Sequence, residues 1–211
     1  MPDTGPNVGI KVDRYRLPDS EYVGEGWTPV QPGPDPVLYG HVDFAPKGKF
    51  EVRSYQTFTL TYTVGRFGLD DTGAIRVVFR AMGDTGTMQT TDPTADNYVS
   101  AKSSNGATLS VDYTRRGQSA RPRWKSLTIN VNGGYMREGD TITIIFGDTS
   151  TGSNGLKMQT MVETDFEFKV LADVCAVGHF VPIPNTPSID IVPGHPVVWR
   201  ARQLGAPGQY R

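Results

Sequence analysis

The chain has 211 residues, with 21 Lys and Arg against 22 Asp and Glu, a formal net charge of −1 and 37% hydrophobic residues. Near-neutrality excludes a global field that would gather nucleic acid or an anionic membrane, and no run of 18 apolar residues is available to cross a bilayer. The length suits one large all-β domain or one domain with long arms, and 24 Gly and 16 Pro suit many turns between short strands.

Residues 1–36 read as an extended N-terminal arm. Pro6, Pro18, Pro29, Pro32, Pro34 and Pro36 interrupt it, while Tyr15, Leu17, Tyr22 and Trp27 offer apolar anchors. Met1 is followed by Pro2, Asp3 and Gly5, not by a basic and then an apolar run, so no leader peptide and a cytoplasmic location are expected. The domain proper, residues 37–180, opens with a predicted strand at Val37–Val42. Next comes the clearest element: in Thr57–Val64 four threonines alternate with Phe58, Leu60, Tyr62 and Val64. Side chains of an extended chain alternate between faces, so the apolar set falls on one face and the hydroxyls on the other. Gly65–Gly73 reads as a turn, and Ile75, Val77 and Phe79 mark the next strand.

Residues 82–106 are polar, with a short extended piece near Tyr98-Val99. Leu109, Val111 and Tyr113 alternate with polar residues, as do Leu127, Ile129 and Val131. Asn132-Gly133-Gly134 is a turn signal. Asp140–Phe146 alternates again, and so do Thr164, Phe166, Phe168 and Val170. Residues 181–211 read as a second Pro-rich arm or a set of edge strands, with extended pieces at Ser188–Val192 and Val197–Arg200. About nine strand patterns and no amphipathic helix predict a two-layer antiparallel β-sandwich, Ig-like or jelly-roll-like.

The lone cysteine, Cys175, excludes an intrachain disulfide and reads as a small, partly buried core residue. A catalytic role would require a His and an orienting group close in space, and His179 is near only along the chain. His41, His179 and His195 are too scattered in sequence to indicate a zinc site. Gly147–Gly155 could offer backbone N–H groups to an anion, with Asp148, Ser150 and Asn154 as ligand contacts. It lacks the Gly-Lys-Ser/Thr end of a phosphate loop, and the competing reading is a long turn in which Asp148 caps its own backbone. Arg115, Arg116, Arg121, Arg123 and Lys125 surround Trp124. This stretch reads as a solvated hairpin loop, as a nucleic-acid patch, or as a docking surface for an acidic partner, since Arg and Trp anchor interfaces. Trp27 and Trp199 are the further partner contacts expected, from the arms.

Gly139–Thr160, followed by Glu163, Phe166–Val170 and Pro187–Gly194, carries a resemblance. The region from about Leu38 to Gly194 resembles the N-terminal β-sandwich of a bacterial family of unknown function. Longer members continue into a domain related to the PHP metal-dependent hydrolases. The His-x-His pattern of such a site is missing here, so the resemblance implies a companion module and transfers no catalytic residue. The expected function is therefore a non-catalytic accessory or assembly subunit. It would associate with itself or with a separate metal-dependent catalytic subunit, with no cofactor on this chain and any metal in the partner. The alternative is an enzyme or small-ligand binder with a pocket near Gly147–Gly155. Nucleic acid and membrane are the disfavoured partners.

Overall fold

The computed structural model describes residues 35–115 and 123–194. A one-turn helix α1 (Pro36–Tyr39) leads into strands β1 (His41–Ala45), β2 (Lys49–Glu51), β3 (Tyr55–Gln56), β4 (Phe58–Thr63) and β5 (Ala74–Arg80). They are followed by β6 (Val99–Ser103), β7 (Leu109–Thr114), β8 (Arg123–Val131), β9 (Thr141–Phe146) and β10 (Leu156–Lys157). The last are β11 (Glu163–Glu167), β12 (Lys169–Asp173), β13 (Val181–Pro182) and β14 (Ser188–Val192).

The alternation in β4 divides the strand as expected. Phe58, Leu60 and Tyr62 are sealed from solvent, and Thr59, Thr61 and Thr63 are half-buried on the other face. β4 lies inside a four-stranded sheet ordered β1-β4-β9-β6, with Leu60 opposite Ile144 of β9. A five-stranded sheet ordered β13-β12-β5-β8-β7 supplies the second layer, with Val77 of β5 opposite Leu127 of β8. The inward rows of both sheets merge into one apolar core. The protein is thus a two-layer antiparallel β-sandwich.

A three-stranded sheet, β11-β14-β2, and a two-stranded one, β10-β3, close the remaining sides. Within the small three-stranded sheet one pair departs from the antiparallel rule of the two main layers: β14 runs parallel to β2. Phe168 lies between β11 and β12, where the chain passes from the small sheet to the five-stranded one. Its ring lies among those of Phe44, Phe58, Phe79, Phe146 and Phe166, with centroids 4.6–5.5 Å away.

Four local expectations change. Val37–Tyr39 forms helix α1, not a strand, because the Asp35 carboxylate accepts a bond from the Val37 N–H at 2.9 Å and Pro36 takes the first turn. The run 164–170 is two strands, because the chain changes partner at Phe168: β11 pairs with β14, and β12 pairs with β5. Residues 181–194, expected as an arm, belong to the body: β13 pairs with β12, β14 sits between β11 and β2, and Ile183, Ile189 and Ile191 are buried. Cys175 is exposed in a turn, not in the core. That turn is tied down by Asp173, whose carboxylate accepts from Val177 N–H at 3.1 Å and Gly178 N–H at 2.6 Å. The arm at 1–34 and the segment 195–211 lie outside the described residues.

Tyr62 links the core strand to α1. Its hydroxyl donates to the Tyr39 carbonyl at 2.5 Å, and burial raises the phenol pKa well above its usual range. Tyr62→Phe removes one donor and leaves a carbonyl short of a partner, so stability should fall by about 1–2 kcal/mol. Urea unfolding checks this: the midpoint should drop at unchanged slope, and an unmoved midpoint shows that the bond contributes nothing.

Candidate functional site

The Gly147–Gly155 loop leaves β9 and folds against the segment before β6. Asp148, only 9% exposed, has both carboxylate oxygens engaged: one accepts from Ser100 Oγ at 2.5 Å, the other from the Ser150 N–H at 3.0 Å. The Ser100 hydroxyl first, then the Ser150 donors, hold its pKa below the usual carboxylate range against the opposing effect of burial. The Asn154 amide donates to Asp96 at 2.7 Å, and Asp96 also accepts from Tyr55 Oη at 2.9 Å. Thr151 Oγ1 donates to the Pro93 carbonyl at 2.5 Å, and the Asn97 N–H to the Gly155 carbonyl at 2.9 Å. Gly147 and Gly155 take φ of 68° and 115°, and a Cβ at Gly147 would strike Leu156 N and Gln56 O. Asp148, Ser150 and Asn154 are therefore gathered in one loop, but its polar groups serve to stitch two loops together.

The basic stretch divides. Arg123, expected as a partner contact, is 3% exposed and its Nη2 donates to Glu167 Oε2 at 2.6 Å. As a buried cation it is matched inside the protein. Arg116, Arg121, Trp27 and Trp199 lie outside the described residues. Arg115 and Trp124 line a cleft of about 430 Å³ together with Tyr113, Lys125, Ala81 and residues 83–87. The strand ends of β7 and β8 place Tyr113, Arg115, Trp124 and Lys125, and Lys125 Nζ donates to the Gly83 carbonyl. Burial first, and then the Arg115 charge, pushes the Lys125 ammonium below its usual pKa, while Asp84 pulls the other way. Burial also raises the Tyr113 phenol, and Arg115 opposes it.

Asp84 anchors the opposite wall. Its two oxygens accept from the Thr160 N–H at 2.8 Å and the Thr160 hydroxyl at 2.7 Å. That bond joins the 82–87 segment to 157–162, as does the Gly86 N–H to the Lys157 carbonyl at 2.9 Å. Where the two segments meet, Met82 is 85% exposed, Met161 45% and Val162 59%. Sequence patterning pointed to Arg115 and Trp124. It did not point to Met82, Asp84 or Tyr113, because the pairing of 82–87 with 157–162 spans more than 70 residues. His41 and His179 are exposed, and His195 is outside the described residues. Among the described residues no three metal-ligating side chains gather, and no helix is long and apolar enough to cross a membrane.

No family model and no curated protein matches the chain. Solved structures similar to it include these three. A CBM3a-L domain from a scaffoldin of the cellulosome of Clostridium thermocellum shares 14% identity at a TM-score of 0.37, covering 71% of this chain and 93% of that one. The protein titled "AvmM Catalyzes Macrocyclization in Alchivemycin A Biosynthesis" shares 13% at 0.38, covering 75% and 91%. The seventh ScaB type I cohesin of Pseudobacteroides cellulosolvens shares 11% at 0.30, covering 74% and 94%. At these scores nothing is transferred from them.

Asp84, Asp92, Asp96 and Asp148 all have pKa values lowered chiefly by side-chain hydrogen bonds. A carboxyl with a depressed folded-state pKa stabilises fully above its unfolded value, about 4, and the contribution is lost as pH falls through the folded value. Acidification below about pH 4 should therefore loosen these loops before the core. Hydrogen exchange checks it: amides of Thr94, Ser150 and Thr160 should lose protection ahead of those in β4 and β9. Equal loss across loops and core would refute the assignment.

Proposed function

We propose that this chain is a non-catalytic β-sandwich module that acts by binding another protein chain, as an accessory or assembly subunit. The observation that carries this reading is the face around Trp124: a cleft lined by Trp124, Tyr113 and Arg115, with exposed Met82 between the lining residues Ala81 and Gly83, and exposed Met161 and Val162 following Thr160, which binds Asp84 of the cleft. Aromatic residues, Met and Arg are the types enriched at interfaces, and methionine adapts to irregular partners. The partner is a second copy or, as the family resemblance implies, a separate metal-dependent catalytic subunit that would hold any metal itself. The proposed location is the cytoplasm.

A second reading is a small-ligand binder, favoured by the volume of the same cleft and by its Lys125 and Arg115. The alternative pocket beside Gly147–Gly155 has less support, since Asp148 and Asn154 are engaged internally.

Light scattering separates these readings. The chain is measured alone and after co-expression with the products of neighbouring reading frames, as wild type and as Met82→Asp. A species heavier than the 23.1 kDa monomer is expected, and it should dissociate in Met82→Asp at an unchanged melting temperature. A monomer in both preparations, or a complex indifferent to Met82→Asp, overturns the proposal.

A further inference from the structure

The charges of the cleft are not balanced among the described residues. Of the cations around it, Arg123 is matched by Glu167 at 2.6 Å and Arg80 by Glu163 at 3.3 Å. Arg115 is exposed at the end of β7 and forms no ion pair among the described residues. Lys125 shares the same wall, and the two cations disfavour one another. The carboxylate of Asp84 lies across the cleft with both oxygens occupied by Thr160. A carboxylate entering between Arg115 and Lys125 would relieve the like-charge crowding through charge-assisted bonds. Apolar neighbours of that carboxylate would meet Met82, Met161 and Val162.

Resting on the docking reading above, we propose that the partner presents an acidic segment. One Asp or Glu side chain is seated between Arg115 and Lys125, and an adjoining Leu, Met or Phe is seated on the methionine rim. A polynucleotide fits less well. Phosphate tracking needs cations spaced along a groove, whereas this cleft is lined by only two cations among the described residues, Arg115 and Lys125. Its volume, about 430 Å³, matches one or two side chains.

A display library of random peptides of about ten residues, panned on the full chain, tests the idea, because short acidic motifs are read by cation clusters. Enriched peptides should carry Asp or Glu beside an apolar residue. In fluorescence anisotropy, replacing that Glu by Gln, or Arg115→Gln in the exposed position on the protein, should each weaken binding by roughly tenfold. Added salt should weaken it further, and Met82→Asp should weaken it as well. Enrichment of neutral or basic peptides, indifference to Arg115→Gln, an oligothymidine that binds more tightly and competes, or no enrichment at all would each overturn the acidic partner. Neutral peptides that still depend on Met82 would leave the docking reading standing; a light-scattering complex indifferent to Met82→Asp would remove it.

Discussion

The packing of Phe168 is the constraint on which the rest of the structure depends. The chain leaves the small sheet at Glu167 and enters the five-stranded sheet at Lys169, so Phe168 must turn the corner. It does so with its N–H donating to the Pro187 carbonyl at 2.9 Å and its ring fully buried. Its five aromatic neighbours come from β1, β4, β5, β9 and β11, so one side chain touches both layers and the small sheet. Aromatic pairs add about 0.5–1.5 kcal/mol each beyond area burial, and truncating such a residue to alanine costs about 3–5 kcal/mol. The corner also sets the distant cleft. Glu167, one residue earlier, holds Arg123, and Arg123 fixes the strand on which Trp124 and Lys125 follow.

Legibility in the sequence followed the length of each pattern. In β4 and β9 alternation ran for six residues and burial fell on the expected side chains, whereas β7, at a sheet edge, alternates as long and buries none of its side chains fully. Short elements escaped: β2, β3 and β10 have three residues or fewer, too few for a period to register. Helix α1 was misread because Val37-Leu38-Tyr39 is apolar throughout, and the deciding factor was the cap at Asp35. The break at Phe168 was hidden because Thr164, Phe166, Phe168 and Val170 keep their alternation across it. That break comes with a change of partner strand, from β14 to β5, and with the aromatic cluster, both long-range.

The site was legible in its residue types and not in its grouping. Arg115 and Trp124 could be singled out, but nothing local distinguished Arg115 from Arg123. One is exposed, and the other is buried where Glu167 arrives from 44 residues away to pair with it. The same holds for the two glycine-rich segments. Gly147–Gly155 looked richer in ligand-binding groups, whereas Ala81–Thr87 read only as a polar loop.

Why the less conspicuous segment makes the better site follows from what burial demands of polar groups. A loop packed against another loop must satisfy its donors and acceptors internally, and the hydroxyls, amides and carboxylates of Gly147–Gly155 do so through Ser100, Asp96 and Pro93. Density of polar side chains there measures structural need. A surface kept for a partner shows the opposite pattern, with apolar groups left in water and a charge left unmatched, at a cost that the monomer alone does not recover. Met82 at 85% exposure has that pattern, as does Arg115, which forms no ion pair among the described residues.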